Sequence, residues 1–320
     1  MKVGIFLVLF GRRPLAEALD FVKSAGCESV EIGTGGYVGN AHCKPHELLQ
    51  DRAELGKFRD AIRARDLEIS ALSCHGNPLH PDPQVAQAHD TDFRNSVRLA
   101  AELGVGRVVT FAGCPGDSPT AMRPNWVVTA WPTDFLHILE WQWNERVIPY
   151  WQEAAAFARE HGVKVAIELH PGFVVYNSDS FLRLREAVGE TIGVNFDPSH
   201  LFWQQMDPLV CVRQLGDAIL HVHAKDTWLD AQNIARNGVL DTKSYADLRH
   251  RSWYFRTVGY AHGPDFWRAL VSSLRLAGYD GALSIEHEDA LMSVDEGFTK
   301  AVAFLKETVI QQPAPTAWWA

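Results

Sequence analysis

The chain has 320 residues, of which 47% are hydrophobic and 22% are charged, so it is long enough to bury a full core. The formal net charge is -9 with histidine neutral. An acidic surface repels a phosphate backbone, which makes nucleic acid a poor partner. The five cysteines are scattered without a CxxC pair, so neither a disulfide scaffold nor a zinc knuckle is expected.

The N-terminal residues enter an apolar strand pattern at Val3, with no long apolar segment followed by a small-residue cleavage site. No apolar run approaches the length of about 20 residues that a bilayer crossing needs. We therefore expect a cytoplasmic protein without a membrane segment.

Apolar runs of strand length alternate with amphipathic segments of helix length along the whole chain. The eight predicted strands, in chain order, are Val3–Leu9, Ser29–Ile32, Glu68–Ser73, Arg107–Phe111, Val163–Glu168, Ile192–Phe196, Ile219–His223 and Ala282–Ile285. The predicted helices that follow them are Pro14–Ala25, Pro45–Arg65, Asp90–Leu103, Asn144–His161, Asp179–Val188, Pro208–Gly216, Pro264–Ala277 and Ser293–Thr308. This alternation indicates parallel strands joined by crossover helices, and eight units favour a closed (β/α)8 TIM barrel over an open sheet.

Two predicted connections are longer than is usual in a compact domain, namely Gly113–Trp143 after strand four and Ala224–Gly263 after strand seven. Both leave the C-terminal end of a strand, the barrel face on which active sites are built. We predict that these loops form walls of a pocket. We also predict one barrel domain over residues 1–310 and a tail over residues 311–320, which is either disordered or docks its tryptophans on a neighbouring subunit.

Four of the later strands each end in a residue that can bind a metal. These residues are Glu168, Asp197, His223 and Glu286, and their position at one mouth of a barrel predicts that they converge. Three neighbouring carboxylates would repel one another without a cation. A donor set rich in oxygen, with one nitrogen, suits a divalent ion, with Mn²⁺ expected and Mg²⁺, Co²⁺ or Zn²⁺ as alternatives. Asp197 also fits the role of an ordinary helix N-cap.

The sequence around these residues forms four motifs. They are IELHPG at Ile167–Gly172, NFDPSH at Asn195–His200, HVHAKD at His221–Asp226 and SIEHED at Ser284–Asp289. With these motifs the chain resembles the xylose isomerase-like TIM-barrel superfamily, the sugar phosphate isomerase/epimerase group, over nearly its whole length. The resemblance implies that Glu168, Asp197, His223 and Glu286 bind one divalent metal ion. It also implies that the two glutamates double as acid and base.

Further polar and aromatic residues near the predicted mouth are candidates for catalysis or for substrate binding. His170 shares strand parity with Glu168 and is either a general base or a partner of a ligand. The candidate substrate-binding residues are His200, Lys225, Arg256, His262, His75 and Trp203. A helix cap is the alternative role for His200, and a salt bridge is the alternative for Lys225.

A divalent ion bound to a carbonyl acidifies the neighbouring C–H, and a carboxylate or histidine can then remove the proton. We therefore predict a divalent-metal-dependent sugar isomerase or epimerase that works through a metal-stabilised enediolate. The two long loops resemble those in the large subunits of C-glycoside deglycosidases. That resemblance implies an alternative, a lyase that cleaves 3-keto-glycosides by elimination with His170 as the base. No Gly-rich phosphate cradle is present, so a phosphorylated substrate is not expected.

Two functions of other classes are less compatible with the sequence. A metal-dependent DNA-repair endonuclease can share this barrel, but it needs a multi-zinc cluster and a basic groove, which the acidic net charge and the missing extra ligands disfavour. A sugar-binding protein without catalysis needs no metal and usually carries a secretion signal. We expect a small sugar substrate, no nucleic acid or membrane partner, and a homo-oligomer, with a small second subunit as a further possibility.

Overall fold

A closed barrel of eight parallel strands dominates the computed structural model, which describes residues 1–313 and residue 319. The barrel strands are β1 Lys2–Phe6, β2 Ser29–Gly33, β3 Glu68–Ser73, β4 Arg107–Thr110, β5 Lys164–Glu168, β6 Ile192–Phe196, β7 Ile219–Ala224 and β10 Ala282–Ile285. Neighbours in the barrel follow chain order, and β10 pairs with both β7 and β1 to close it. The predicted TIM-barrel fold is confirmed. The predicted tail over residues 311–320 lies mostly outside the described residues.

Helices follow the barrel strands on the outside of the sheet. They are α1 Leu15–Ala25, α2 Pro45–Gln50, α3 Arg52–Arg63, α4 Pro83–Leu103, α5 Asp134–Trp141, α6 Ile148–Glu160, α7 Ser178–Val188, α8 Pro198–Trp203, α9 Pro208–Leu215, α10 Ala231–Asn237, α11 Pro264–Leu276 and α12 Val294–Thr308. A π-helical segment, Gln142–Val147, joins α5 to α6. Within the described part of the chain, no helix combines the length and apolar character that a membrane crossing would require.

The main core lies between the barrel and its helices, and a smaller one fills the barrel interior. On the outside, buried side chains such as Trp151 of α6 and Trp267 of α11 belong to one large apolar cluster with the strands. Inside, Ala71, Val109 and Ala166 form a separate cluster. Ala166 lies two residues before Glu168 on the same face of β5, so the apolar filling ends where the polar layer begins.

Several element bounds differ from the sequence predictions for local physical reasons. The first strand was predicted as Val3–Leu9 but ends at Phe6, because the next four residues form a 3₁₀ turn. The helix predicted from Asp90 begins seven residues earlier, where Asp82 caps its first turn. The helix predicted over Pro45–Arg65 is divided in two at Asp51.

The long connection after β7 has secondary structure that its sequence did not predict. It contains α10 and an antiparallel hairpin of β8 Asp226–Leu229 and β9 Trp253–Arg256. Trp253 of this hairpin stacks on Trp203, with ring centroids 4.5 Å apart. Trp126, from the connection after β4, packs against the same aromatic cluster, so the two long loops meet beside the barrel.

The break at Asp51 yields a prediction about stability. Its side chain accepts hydrogen bonds from the backbone N–H groups of Ala53 and Glu54, at 2.9 and 3.1 Å, and so begins α3. We expect Asp51→Ala to lower the free energy of unfolding by about 1 kcal/mol, because an N-cap is lost. The change should appear in urea-denaturation midpoints. Asp51→Asn, which keeps an accepting oxygen, is the matched control, and equal midpoints for all three proteins would contradict the assignment.

Candidate metal centre

The structure brings Glu168, Asp197, His223 and Glu286 together at the C-terminal mouth of the barrel. Their strands, β5, β6, β7 and β10, are consecutive neighbours, and each contributes one residue within one position of its last residue. One donor atom from each side chain lies within 4.8 Å of the others. Three of these side chains are buried, whereas Glu286 is 17% exposed and marks the open side of the cluster.

The two carboxylate oxygens of Asp197 have different surroundings, which bear on whether the cluster suits a cation. Its Oδ1 accepts a hydrogen bond from the backbone N–H of Ser199 at 2.8 Å and caps α8, so the helix-cap interpretation is also correct. Its Oδ2 is buried and accepts no hydrogen bond from the described residues. Such a buried oxygen needs positive charge nearby, and the Lys225 ammonium lies 3.2 Å from it, so a cation would share this oxygen with Lys225. Together with two further carboxylates and the Nδ1 of His223, this donor set fits a divalent ion.

Glu168 is held in place by two donors from neighbouring strands. Its Oε2 accepts from His75 Nε2 at 2.8 Å and from Asn195 Nδ2 at 2.9 Å. Its Oε1 lies 3.4 Å from His200 Nε2. Burial by itself would raise the pKa of Glu168, but the interactions with His75 and His200 outweigh it and hold the pKa well below its usual value. Glu168 is therefore ionised at neutral pH. His75 contacts this carboxylate, and its role in substrate binding stays a prediction.

Lys225 supplies positive charge to the open side of the cluster. Its Nζ lies 2.8 Å from Glu286 Oε2, 3.2 Å from Asp197 Oδ2 and 3.0 Å from Glu288 Oε2. Burial opposes the charged form of Lys225, yet these carboxylates raise its pKa well above the usual value. Burial likewise opposes ionisation of Glu286, but Lys225 and His223 lower its pKa to about 2. The predicted salt bridge of Lys225 is therefore present within the site.

His170 and His200 form a pair beside Glu168, with ring centroids 4.1 Å apart. His200 Nε2 lies 3.4 Å from Asp197 Oδ2 and makes no hydrogen bond to the described residues. His170 Nδ1 lies 2.6 Å from the carbonyl oxygen of Pro171, which only a protonated Nδ1 can satisfy. Burial and the charge of His200 lower the pKa of His170 to about 3. A neutral ring with its Nε2 lone pair free can act as a base.

Three other predicted substrate-binding residues are used to fasten the loop after β7. Arg256 Nε donates to Asp289 Oδ2 at 2.9 Å. His262 Nδ1 lies 2.6 Å from Asp226 Oδ1, and Trp203 stacks on a second indole in the aromatic cluster. Their roles in substrate binding stay predictions.

Sequence reasoning missed Glu31, His221 and Asn195. Glu31 lies in the middle of β2, fully buried, within 3.0 Å of ring nitrogens of His221 and His223. The signal was a single carboxylate in the otherwise uncharged strand Ser29–Gly33, which must find a buried partner. The sequence could not say which residue that partner would be.

A sequence model of the xylose isomerase-like TIM barrel matches residues 19–308. The chain belongs to this family. The resemblance inferred from the four motifs is thereby confirmed. The similarity to C-glycoside deglycosidases in particular stays a prediction.

Curated relatives of this family member are bacterial. The chain is 36% identical over 314 residues to the uncharacterized protein YfiH of Bacillus subtilis, which covers 97% of this chain and 100% of that protein. It is 33% identical over 285 residues to the rhizopine catabolism protein MocC of Rhizobium meliloti, covering 88% and 76%. A shorter match, 27% identical over 106 residues and 33% of each chain, is to an inosose dehydratase of Geobacillus kaustophilus.

Solved structures share the fold at low sequence identity. The probable 3-DHS dehydratase AsbF of Bacillus anthracis superposes with a TM-score of 0.66 at 16% identity, covering 96% of this chain and 99% of that one. The IOLI protein, solved with a binding zinc atom, gives 0.66 at 17% identity, covering 97% and 98%. A D-psicose 3-epimerase solved in the presence of D-fructose gives 0.63 at 16% identity, covering 97% and 99%.

The geometry of the centre predicts that Glu286 binds the cation and that Glu288, two residues further along, does not. We expect the metal-free protein to bind one Mn²⁺ per chain, measured by isothermal titration calorimetry. Glu286→Gln should weaken this binding by at least about tenfold, because it removes a charged donor. Glu288→Gln is the matched control, since Glu288 also pairs with Lys225 but lies outside the cluster. Equal affinities of the two variants would contradict the ligand assignment.

Proposed function

We propose that the protein is a divalent-metal-dependent isomerase or epimerase that moves a proton next to the carbonyl of a sugar or a related polyhydroxylated ketone. The observation that carries this proposal is the cluster of three carboxylates and one imidazole, whose donor atoms lie within 4.8 Å of one another. Family membership and the epimerases and dehydratases among proteins of the same fold support a reaction of this type.

A bound divalent ion polarises the substrate carbonyl and so acidifies the neighbouring C–H. Glu286 is our candidate to take that proton, because its Oε2 accepts from Lys225 Nζ while its Oε1 accepts no hydrogen bond within residues 1–313. Glu286 is also the member of the cluster that reaches solvent, on the side where a substrate would enter. Its low pKa keeps it in the proton-accepting form.

Glu168 approaches the same centre from another side of the mouth, since β6 and β7 separate its strand from β10. Return of the proton to the adjacent carbon gives isomerisation, and return to the opposite face of the same carbon gives epimerisation. The buried Lys225 ammonium is placed to stabilise the oxygen on which negative charge develops. His200, whose Nε2 makes no hydrogen bond to the described residues, is the candidate donor to a substrate hydroxyl.

A second candidate function is elimination by the same centre, and His170 is the observation that favours it. Its neutral ring lies two residues beyond Glu168 and has a free Nε2 lone pair. If that nitrogen takes the proton, the C–H electron pair can form a C=C bond while the bond to a β-oxygen breaks and that oxygen is protonated. The inosose dehydratase match and the AsbF structure, a probable dehydratase, support the elimination of water. Cleavage of 3-keto-glycosides would follow the same steps with the aglycone oxygen as the leaving group.

The two candidate functions predict different products in D₂O. We expect the Mn²⁺-loaded protein, tested with ketohexoses, inososes and 3-keto-glycosides, to incorporate deuterium next to the carbonyl without loss of a substituent. Proton and carbon NMR of the product would detect this. Release of water or of an aglycone would instead support elimination. Neither exchange nor release across the whole panel would contradict both functions.

Substitution of His170 tests whether Glu286 or His170 is the base that removes the proton. If Glu286 removes the proton, His170→Gln should lower kcat/KM by less than the factor of about 10²–10⁴ that a general base contributes. His161→Gln is the matched control, because His161 follows α6, away from the mouth, and contacts the carbonyl of Phe157. A loss within that range for His170→Gln alone would make His170 the base and favour the lyase.

A further inference from the structure

Glu31 reaches the metal centre from a strand that contributes no ligand to it. It lies on β2, which is separated from β7 by β10 and β1, and its side chain crosses the barrel interior to the two histidines of the HVH motif. Ser73 of β3 and Ser284 of β10 contact the same carboxylate. All five residues are fully buried.

Every acceptor position of the Glu31 carboxylate is filled by a group that can donate a proton. Oε2 lies 2.9 Å from His221 Nε2, 3.0 Å from His223 Nε2 and 2.6 Å from Ser284 Oγ. Oε1 lies 3.0 Å from His223 Nε2 and accepts from Ser73 Oγ. An ionised carboxylate can only accept, so both imidazoles must carry a proton on Nε2.

This arrangement decides which nitrogen of His223 is available to a cation. A neutral imidazole protonated on Nε2 has its lone pair on Nδ1. His223 Nδ1 faces the cluster, 3.1 Å from Glu286 Oε2 and 3.4 Å from Glu168 Oε2. The ring is also fixed from the side by Phe6, whose centroid lies 5.6 Å away.

We propose that Glu31 is the positioning residue of the metal centre, which fixes His223 in the Nε2–H form, directs its Nδ1 at the cation and strengthens the bond to it. The inference rests on the proposed function, because it requires a cation at the cluster. A carboxylate behind a ligating imidazole holds its orientation and makes it a stronger donor. His221 fills a second acceptor position and keeps Glu31 turned toward His223.

Glu31, His221 and His223 could also be considered a second metal site, since their donor atoms lie within 4.8 Å of one another. The hydroxyls of Ser73 and Ser284 argue against it, because they donate to the oxygens that a second cation would need. We therefore infer that Glu31 and His221 support a single cation, which is bound on the opposite side of the His223 ring.

The test compares Glu31→Gln with Ser284→Ala. A glutamine has only one accepting oxygen, and its NH₂ group opposes a ring N–H, so one imidazole must lose its hydrogen bond or move its proton. We expect Glu31→Gln to weaken Mn²⁺ binding to the metal-free protein by about 10–100-fold in calorimetry. Ser284→Ala removes a donor to the same carboxylate but imposes no proton position, so its affinity should fall by less than about tenfold.

A second measurement needs no variant. Nitrogen-15 NMR of the zinc-loaded protein with labelled histidine should show the proton of His223 on Nε2 and the cation on Nδ1. A proton on Nδ1, or Mn²⁺ affinity of a folded Glu31→Gln equal to that of the parent, would overturn the role of Glu31 while the metal centre stands. A parent protein that binds neither ion would overturn the metal centre and this inference together.

Discussion

Three carboxylates that share a buried barrel mouth repel one another, and the rest of the site compensates for that repulsion. The ammonium of Lys225 contacts Asp197 and Glu286, and the ring of His223 lies beside Glu286. Hydrogen bonds from His75 and Asn195 then stabilise Glu168. These partners lower the pKa of Glu168 and of Glu286 against the effect of burial, and ionised carboxylates are what a divalent ion requires.

The geometry of the barrel brings these charged residues together within a single chain. All parallel strands deliver their C-terminal ends to one mouth, so residues far apart in sequence meet there. Below this layer the interior is closed by small apolar side chains, including Ala71 and Ala166. The apolar floor excludes water beneath the site and strengthens each electrostatic interaction above it.

Loops after β4 and β7 add an aromatic wall to one side of the mouth. Phe255 of the hairpin lies under Lys225, with the ammonium 4.5 Å from the ring centroid, and its ring is 5.4 Å from His200. The hairpin thus contacts two polar residues of the centre directly. Arg256 and His262 are tied to acidic partners, which fixes the loop that carries this wall.

The sequence by itself determined the number of barrel strands, the ends of helices such as α1 at Ala25 and α4 at Leu103, and the order of the four residues that converge. These follow from local periodicity and from the rule that successive parallel strands lie side by side. It also indicated that Asp197 could cap a helix, and the structure adds that its other oxygen faces Lys225 within the centre.

Only the tertiary structure decided the partners behind the centre. Glu31 contacts His223 because pairing of β10 with β1 closes the barrel, so that side chains of β2 and β7 meet in its interior. The spacing of these two residues along the chain does not predict this contact. The contact between His75 and Glu168, 93 positions apart, depends in the same way on how the strands tilt within the barrel. Hydrophobic periodicity and secondary-structure propensity act over one helix turn or one strand. Buried polar groups instead form hydrogen bonds with whichever donor or acceptor the closed sheet brings next to them.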